Sequence, residues 1–383
     1  MKIMYILHES GESFNGASRS ALSLIKNAVE NNDDVYVVLP LKEGKLVEEL
    51  NKLNNVKIIE EKYFRWKRIK SNRKVKRVLD YIKYYIYENL RNIQIAKKIS
   101  KYVVDEQIDI VHTNSSVVNI GGLIHQYAKI PHVWHVREFG EEDFDMYPLN
   151  SEKNFYKFMY KNSTAIVCIS KAIANKMSQY MPKDKIKVIY NGIEIPDLEF
   201  KKKFSNNLLI SGMISKKKGQ WVAVEAVEIL KNRGIDVNLY IAGKGEDANL
   251  GEYYVCNKDR IKKLGFVNDM KKVRSEMDIE LMCSVSEGFG RTIIEGMASG
   301  LIVIAAAGGA APELIKDGKN GFLFEVNNPE QLATVIQQVI ELTDEEKIKI
   351  RNKSYIEAKN KFSEKKYVES IRDLYIKLLA EEK

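Results

Sequence analysis

The sequence Glu287-Gly-Phe-Gly-Arg-Thr-Ile-Ile-Glu-Gly-Met-Ala-Ser-Gly300 is the most informative stretch of this chain. The apolar run 279–283 that precedes it predicts a buried strand, and Gly288 and Gly290 permit a tight turn. A helix is predicted over 291–299, and the final glycine of the stretch ends it. A strand, a glycine turn and a helix N-terminus predict an anion-binding site, because backbone N–H groups and the positive end of the helix converge there.

Two carboxylates flank this predicted site, Glu287 in the turn and Glu295 inside the helix. An acid in the first turns stabilises a helix by about 0.3–1 kcal/mol, so a capped surface helix would explain one of them. It explains a second glutamate beside two glycines poorly. With Gly-Phe-Gly after Glu287 and Gly-Met-Ala-Ser-Gly after Glu295, the segment resembles the paired-glutamate signature of the retaining glycosyltransferases of family 4, which have the GT-B fold.

The length and composition of the chain fit two globular domains. Its 383 residues exceed one typical domain, and 45% hydrophobic residues are enough for buried cores. No run of about 18 apolar residues occurs, and the start of the chain reads as a strand rather than as a signal peptide. Cys168, Cys256 and Cys283 are far apart in sequence, which indicates separate thiols in a reducing compartment, without a disulfide or a metal. We therefore expect a cytoplasmic protein.

Strands and helices alternate along the whole chain, which predicts an α/β protein with mostly parallel, doubly wound sheets. The alternation stops at the polar segment 191–207, which we interpret as a linker. The resemblance implies the GT-B architecture, in which two Rossmann-like domains face each other across a cleft. It implies an acceptor-side domain over 1–190, a nucleotide-sugar-binding domain over 208–362, and a C-terminal helix, 363–383, that packs back on the first domain.

Lys218-Gly219 resembles the end of the family motif Gly-Arg-Leu-x-x-x-Lys-Gly, whose arginine and lysine hold the donor diphosphate. Lysine suits that role as a mobile point charge, although a solvated lysine loop is the alternative interpretation. Met213 stands at the arginine position of the motif, so one expected cation is missing. The cations that are candidates to replace it are Lys216, Lys217, Arg137 and Arg291.

The resemblance also implies roles for the residues around the paired glutamates. Glu295 would accept hydrogen bonds from the ribose hydroxyls and Glu287 from those of the donor sugar, since both oxygens of a carboxylate accept. The other donor-binding residues that it implies are Gly288, Phe289 and Gly290 through their backbone N–H groups, Thr292, and Gly16 in the first glycine loop. Glu313 either supports this pocket or is an acid at a helix N-terminus.

Asn114 and His135 follow or end predicted strands of the first half, where ligands of parallel sheets bind. The family has a histidine that contacts the sugar or the diphosphate, so the resemblance implies that His135 and Glu287 are catalytic. A lone histidine is more often structural. Asp143-Phe-Asp145 matches a two-carboxylate metal motif, but a helix N-terminus and a lysine can neutralise a leaving diphosphate without a metal. We expect no metal and no cofactor, with the nucleotide-diphosphate sugar as co-substrate.

The segment 62–101 carries fourteen lysines and arginines against two acids, a net charge of +12. Apolar residues recur through it at helical spacing and predict a core-facing stripe opposite a cationic face. The members of this stripe are Val75, Leu79, Ile82, Ile86, Leu90 and Ile93. A cationic helix that also carries tyrosines can lie on an anionic membrane, here the inner face of the cell membrane. A solvated face is the alternative, and we expect no nucleic acid because no reader motif occurs.

Together these features predict a retaining glycosyltransferase that moves a sugar from a nucleotide-sugar donor to a hydroxyl of a sugar or lipid-linked acceptor. The abundance of Lys, Asn, Ile and Tyr indicates a bacterial source, and thereby the synthesis of cell-surface polysaccharide or glycolipid. The alternatives are a nucleotide-sugar epimerase, a phosphorylase, or a non-catalytic nucleotide-sugar-binding protein. Retention leaves two mechanisms open, a covalent intermediate on Glu287 and attack on the same face as the departing diphosphate.

Overall fold

The chain divides into two units, each with its own parallel sheet and its own hydrophobic core. The computed structural model describes residues 1–10, 16–69, 74–149, 151–197 and 204–381. The first unit comprises Met1–Gly192 together with Lys365–Lys383, and the second comprises Ile193–Glu364. The glycine loop 11–15 and the middle of the predicted linker, 198–203, lie outside the described residues.

A seven-stranded parallel sheet forms the centre of the first unit. The strands of this unit are β1 (Lys2–Leu7), β2 (Asp34–Leu39), β3 (Val56–Glu60), β4 (Lys67–Ile69), β5 (Ile110–Asn114), β6 (His132–Val136), β7 (Met146–Pro148), β8 (Ala165–Cys168) and β9 (Ile186–Val188). The order in the sheet is β3-β2-β1-β5-β6-β8-β9, while β4 and β7 pair as a separate antiparallel ribbon. The strand order reverses between β1 and β5, which is where open α/β sheets bind ligands.

Helices cover both faces of this sheet, which explains why its strands are runs of Val, Ile and Leu. They are α1 (Gly16–Glu30), α2 (Lys45–Leu50), α3 (Lys74–Lys83), α4 (Asn89–Asp105), α5 (Ile120–Ala128), α6 (Glu141–Phe144), α7 (Glu152–Lys161) and α8 (Lys171–Met177). One π-helical turn, Tyr84–Glu88, joins α3 to α4. The helix α5 packs beside α4, and Gly122 allows this layer to approach the ring of Trp134 in the sheet.

The apolar stripe of the basic segment does not face the core, so that prediction was wrong. Five of its six members, from Val75 to Leu90, are 45–72% exposed, and only Ile93 packs against the core. Of the described side chains of α3, all except the half-buried Asp80 are exposed. Core contact begins with Tyr84 in the π-helical turn, which widens the helix and breaks the register of the apolar repeat.

The second unit repeats the α/β architecture on a six-stranded parallel sheet. Its strands are β10 (Asn207–Ser211), β11 (Asn238–Ala242), β12 (Ile261–Gly265), β13 (Ile279–Met282), β14 (Ile302–Ala306) and β15 (Phe322–Phe324). Its helices are α9 (Gln220–Asn232), α10 (Tyr253–Cys256), α11 (Met270–Ser275), α12 (Arg291–Ala298), α13 (Ala311–Leu314), α14 (Pro329–Glu341) and α15 (Asp344–Phe362). The order β12-β11-β10-β13-β14-β15 is 3-2-1-4-5-6 within the unit, the order of dinucleotide-binding folds. The predicted α/β class with parallel sheets is therefore confirmed.

The last helix, α16 (Glu364–Glu381), belongs to the core of the first unit. Its apolar side carries Ile371 and Leu374 against that sheet, and Arg372 pairs with the buried carboxylate of Asp33. Two tyrosines of α16, Tyr367 and Tyr375, reach polar residues of β5 and of the loop after β6. Within the described ranges, no helix combines the length and the apolar composition that crossing a bilayer requires.

Candidate functional site

The paired-glutamate stretch forms the predicted strand, turn and helix. The strand β13 ends at Met282, and Gly290, the N-cap of α12, has a φ of 80°, a left-handed conformation that favours glycine. The backbone of Glu287 is fixed by the neighbouring turn, since Ala310 donates to its carbonyl at 2.8 Å. A Cβ on Gly309 would lie 2.4 Å from that carbonyl oxygen, so only glycine fits there. The Ile293 N–H donates to the Gly290 carbonyl at 3.0 Å, so the N–H groups of Arg291 and Thr292 are the ones at the helix N-terminus that an anion can use.

The structure brings Lys218 and Glu287 together. Lys218 Nζ lies 2.5 Å from Glu287 Oε1, and the Ser284 hydroxyl donates to the same oxygen at 2.7 Å. The lysine lies in a short helical turn that Ser215 caps. That turn is pressed against the end of β13, because a Cβ on Gly219 would lie 2.2 Å from the carbonyl of Cys283. Two residues predicted to bind one substrate are therefore neighbours in the fold.

Glu295 is held by two arginines. Arg291 Nε donates to its Oε1 at 2.8 Å, and Arg274 Nη2 lies 2.9 Å from its Oε2. Burial by itself would raise the pKa of Glu295, but the two guanidinium groups outweigh it and hold the pKa below the usual value. Glu295 is therefore a carboxylate at neutral pH. Because each of its oxygens has two lone pairs, it can accept further hydroxyl donors.

Arg274 and Glu280 were missed in the sequence. Both are buried, and Arg274 Nε donates to Glu280 Oε2 at 2.9 Å, while Ser211 donates to Glu280 Oε1 at 2.7 Å. Arg274 therefore bridges two carboxylates and fixes the one on α12. A signal for this network was present, because Glu280 interrupts an otherwise apolar strand and buried charges require a partner.

The remaining predicted residues of the second unit lie around this network. Arg291 is engaged by Glu295, and Met213, at the position of the missing cation, is 64% exposed. Thr292 is half-buried in the first turn of α12, and Glu313 is half-buried in α13. Phe289 is a buried packing residue whose ring lies 6.2 Å from that of Phe362, and Gly288 beside it is buried as well. Lys216 and Lys217 share the helical turn of Lys218.

His135 lies inside β6 and is fully buried, rather than ending its strand as expected. Its Nδ1 is 3.2 Å from His112 Nε2, and His112 Nδ1 is 2.6 Å from the Tyr375 hydroxyl of α16. Burial, reinforced by the nearby Arg137 guanidinium, lowers the pKa of both histidines well below the usual value. Both rings are therefore neutral at pH 7.

Arg137 follows β6 directly and is 8% exposed. It donates from Nε to Asn114 Oδ1 at 2.7 Å and from Nη1 to Asn191 Oδ1 at 2.5 Å. From Nη2 it donates to the Tyr367 hydroxyl at 2.8 Å, and the same nitrogen is 3.4 Å from His135 Nδ1. The structure thus brings together Arg137, Asn114 and His135, three of the residues predicted from the first half of the chain.

Gly16 and Asp143 are the last of the residues that the sequence singled out. Gly16 is the exposed first residue of α1, and the Asn114 amide donates to the carbonyl of the next residue at 3.3 Å. Asp143 accepts the N–H groups of Phe139 and Gly140 with its two oxygens, each at 2.8 Å, which makes it a cap of the short helix α6. Burial raises the pKa of Asp143 to about 6. Across the described part of the chain, no group of three His, Cys, Asp or Glu side chains is placed to hold a metal ion.

Two family models match the sequence. The model described as Glycosyltransferase Family 4 matches residues 14–195, and the model described as Glycosyl transferases group 1 matches residues 205–342. An uncharacterised glycosyltransferase of Methanocaldococcus jannaschii is 29% identical, over 74% of this chain and 80% of the relative. The Escherichia coli UDP-Gal:alpha-D-GlcNAc-diphosphoundecaprenol alpha-1,3-galactosyltransferase is 28% identical, over 76% of this chain and 82% of the relative.

Solved structures resemble the fold over its full length. The crystal structure of Anabaena HepE in complex with UDP has a TM-score of 0.77 at 19% identity, over 98% of this chain and 99% of that one. A glycosyltransferase from Rickettsia africae has a TM-score of 0.78 at 21% identity, over 99% and 98% of the two chains. Both the matched sequences and the matched structures therefore include residues of both units.

Proposed function

Because the chain belongs to the glycosyltransferases of family 4 and has their GT-B fold, we propose that it transfers a sugar, with retention of configuration, from a nucleotide-sugar donor to a hydroxyl acceptor. The observation that carries this proposal is the contact of Lys218 with Glu287 beside the N-terminus of α12. An ammonium, a carboxylate and free helix N–H groups at one place match a sugar diphosphate, which offers phosphate oxygens and hydroxyls together.

On binding, the donor would replace hydrogen bonds that residues of the second unit now make with one another. We assign the diphosphate to Lys218 and to the backbone N–H groups of the turn 288–290, and the hydroxyls of the sugar to Glu287. Glu295 would receive the ribose hydroxyls, because Arg274 and Arg291 keep it charged and fix its orientation. We propose that the second unit is the donor side and that the first unit receives the acceptor.

For the chemical step we favour attack on the face from which the diphosphate departs. Glu287 is the carboxylate available as a nucleophile, but Lys218 and Ser284 both donate to its Oε1. Hydrogen bonds to a carboxylate stabilise its charge and reduce its nucleophilicity, so Glu287 is better suited to orient the sugar. Lys218 and the start of α12 would stabilise the negative charge that develops on the leaving diphosphate. The reaction product would then have the same anomeric configuration as the donor, which proton NMR of the product measures.

We also propose that the transfer needs no metal. Both oxygens of Asp143 are used by backbone N–H groups, which supports a structural role for the two-carboxylate motif. Activity should be unchanged after EDTA treatment, and Asp143→Asn should lower stability more than turnover. Loss of activity with EDTA, restored by a divalent ion, would contradict this part of the proposal.

The exposed face of α3 supports peripheral binding to an anionic membrane. It presents Val75, Val78 and Leu79, each more than half exposed, and the exposed cation Lys76 lies among them. Apolar side chains with interspersed cations are the composition of interfacial helices. The cationic face is smaller than the sequence suggests, because Lys67 is buried. Arg68 and Lys83 pair with Glu88.

Vesicle flotation tests the membrane proposal. Vesicles with an anionic lipid should bind the protein, and zwitterionic vesicles should not. Leu79→Ser with Ile86→Ser should reduce binding, whereas the control Ile356→Ser, an exposed apolar residue of the second unit, should not. Equal binding of the wild type, the double variant and the control would indicate that α3 is a solvated helix.

A donor panel tests the enzyme proposal itself. Nucleotide release from UDP-, GDP-, ADP- and CMP-sugars is measured with and without a membrane extract as the acceptor source. Glu287→Gln should abolish release, and Glu341→Gln, an exposed control, should not. Conversion of the nucleotide sugar without any acceptor would indicate an epimerase, and dependence on inorganic phosphate would indicate a phosphorylase. Binding of a nucleotide sugar without turnover would indicate a non-catalytic protein.

A further inference from the structure

Arg137 is a buried cation whose hydrogen-bond partners, among the described residues, are all neutral. Asn114, Asn191 and Tyr367 accept from it through an amide or hydroxyl oxygen, and His135 through a ring nitrogen. A buried charge is costly in a protein, and buried arginines are normally paired with a carboxylate. Neutral partners fix the guanidinium in place without cancelling its charge.

The guanidinium also determines the protonation of the histidines beside it. A guanidinium only donates, so His135 Nδ1 must accept, and the neutral ring carries its proton on Nε2. His112 Nε2 faces the same Nδ1 and must therefore be the donor of that contact. His112 Nδ1 is then the acceptor for the Tyr375 hydroxyl. The hydrogen bonds that link Arg137 to His135, His135 to His112 and His112 to Tyr375 therefore each have one direction. The two imidazole rings and the phenol are neutral.

One group next to Arg137 lacks a partner. His135 Nε2, which carries the proton, is buried and has no hydrogen-bond partner among the residues that the structure describes. Four of the five N–H groups of Arg137 are used by the contacts above, which leaves one. A positive charge without an anion thus lies beside an N–H without an acceptor. An anion at Arg137 would balance its charge and accept its remaining N–H.

We propose that Arg137 is a phosphate-binding residue of the first unit, and that its neutral partners keep its charge available for a phosphate-bearing substrate. The planar fork of an arginine matches phosphate oxygens, and Arg137 lies at the carboxyl end of β6, where parallel sheets bind ligands. This rests on the proposed function, in which a nucleotide sugar and a lipid-linked acceptor are both phosphate-bearing. His112 and Tyr375 are positioning residues, which act through His135.

Pyrophosphate binding tests the proposal without any sugar transfer. Isothermal titration is performed in a Lys218→Met background, which removes the lysine of the second unit. Arg137→Met should weaken pyrophosphate binding by about tenfold or more, as expected for a lost charge-assisted hydrogen bond. Arg137→Lys should retain part of the affinity, because it keeps the charge. Equal affinity of the Arg137→Met protein and its parent would overturn the proposal.

Histidine NMR tests whether the histidines next to Arg137 are neutral. It uses the wild-type protein, so it needs no folded variant. The 15N shifts of the wild-type protein at pH 7 should show His112 and His135 as neutral rings protonated on Nε2. Tyr375→Phe should disturb the His112 signal and weaken pyrophosphate binding. Tyr36→Phe, a buried tyrosine of the same unit that donates to Glu106, should change neither. A charged His135, or one protonated on Nδ1, would overturn the proposal.

Kinetics distinguish the two sources of the phosphate. If the phosphate belongs to the donor, Arg137→Met should raise the KM for the nucleotide sugar. If it belongs to a lipid-linked acceptor, the KM for the acceptor should rise instead. An unchanged KM for both substrates would show that neither uses Arg137 and would overturn the proposal. Because titration and NMR need no turnover, an inactive enzyme with an intact Arg137 site would contradict the proposed function alone.

Discussion

Arg137 and Arg274 are buried arginines of the two units, and they are held in opposite ways. Arg274 contacts two carboxylates, Glu280 and Glu295, so its charge is balanced within the second unit. Arg137 contacts only neutral groups among the described residues. One guanidinium therefore fixes the carboxylate to which we assign ribose binding, and the other keeps an unbalanced charge that we propose binds phosphate. The role of a buried charged residue therefore has to be inferred from the charge of its hydrogen-bond partners.

The two units also differ in what keeps their polar groups in place. All five histidines of the chain lie in the first unit, and the second has none. The buried polar groups around Arg137 in the first unit are neutral imidazoles, amides and phenols, and those around Arg274 in the second unit form ion pairs. The first arrangement depends on pH near 6 and the second does not, because imidazole titrates there and paired carboxylates and guanidinium groups do not.

The largest expected effect is the loss of Arg274. Arg274→Met would leave Glu280 buried without its counter-ion, which costs about 3–5 kcal/mol in the free energy of unfolding. The control Arg233→Met breaks an exposed pair with Glu330 and should cost at most about 1 kcal/mol. Denaturant titration measures both. Similar losses for the two variants would mean that the buried ion pair contributes no more to the free energy of unfolding than a surface pair does.

The second effect is a loss of stability in mild acid that is confined to the first unit. His112 and His135 have pKa values well below the usual value because of burial, and burial lowers that of His132 to about 3. A histidine with a lowered folded pKa stabilises the fold above its unfolded value and loses that contribution as the pH falls. Asp143, whose pKa burial raises to about 6, acts in the opposite direction. Because more histidines than carboxylates are shifted, the net effect between pH 6 and pH 5 is a loss of stability, on the order of 1 kcal/mol per group and pH unit.

Tryptophan fluorescence can locate this acid sensitivity. Trp66 and Trp134 lie in the first unit and Trp221 in the second. A Trp221→Phe protein reports on the first unit, and its unfolding midpoint in denaturant should fall between pH 6 and pH 5. A protein with Phe at positions 66 and 134 reports on the second unit, and its midpoint should change little. Equal shifts would contradict the contrast between the units.

The third expected effect is the difference in stability between the variants that lack Arg137 and Arg274. Arg137→Met removes a charge and leaves only neutral groups without a partner, so it should cost about 1–3 kcal/mol, less than Arg274→Met. The two variants are compared in the same denaturant titration. A larger loss for Arg137→Met would show that the charge of Arg137 is balanced within the fold, contrary to the comparison.

The smallest expected effect concerns Glu295. Glu295→Gln keeps the shape of the side chain but offers one acceptor oxygen to its two arginines, so nucleoside diphosphate should bind about tenfold less tightly, about 1.4 kcal/mol. Titration with UDP and GDP measures this, and Glu276→Gln, at the end of α11, is a control. Unchanged affinity would remove the ribose role from Glu295.

The sequence was sufficient for the fold and for one cluster of the site. The strands and helices of both units follow from hydrophobic periodicity, and the predicted strand 279–283 and helix 291–299 agree within one residue with β13 and α12. The contact between Lys218 and Glu287 joins residues 69 positions apart, and both were identified from local motifs. Glycine turns and helix starts are encoded locally, which is why these elements could be predicted.

Other features required the folded chain. The stripe from Val75 to Leu90 has the spacing of a core face, but periodicity states only that a helix has an apolar side, and not what covers it. His135 was expected at a strand end because the end of a strand is uncertain by a residue or two. Nothing in the sequence around His112 connects it to Tyr375, since they are 263 positions apart.

What the amino-acid sequence determined by itself was the class of fold, the paired glutamates with their lysine, and the basic segment, because each is written in neighbouring residues. Only the tertiary structure decided which charges are balanced. In the sequence, neither Arg274 in α11 nor Arg137 after β6 has a local pattern that shows whether its charge is balanced. Their different roles depend on carboxylates, amides and a tyrosine that distant segments bring to them, and burial then fixes the energy of each arrangement.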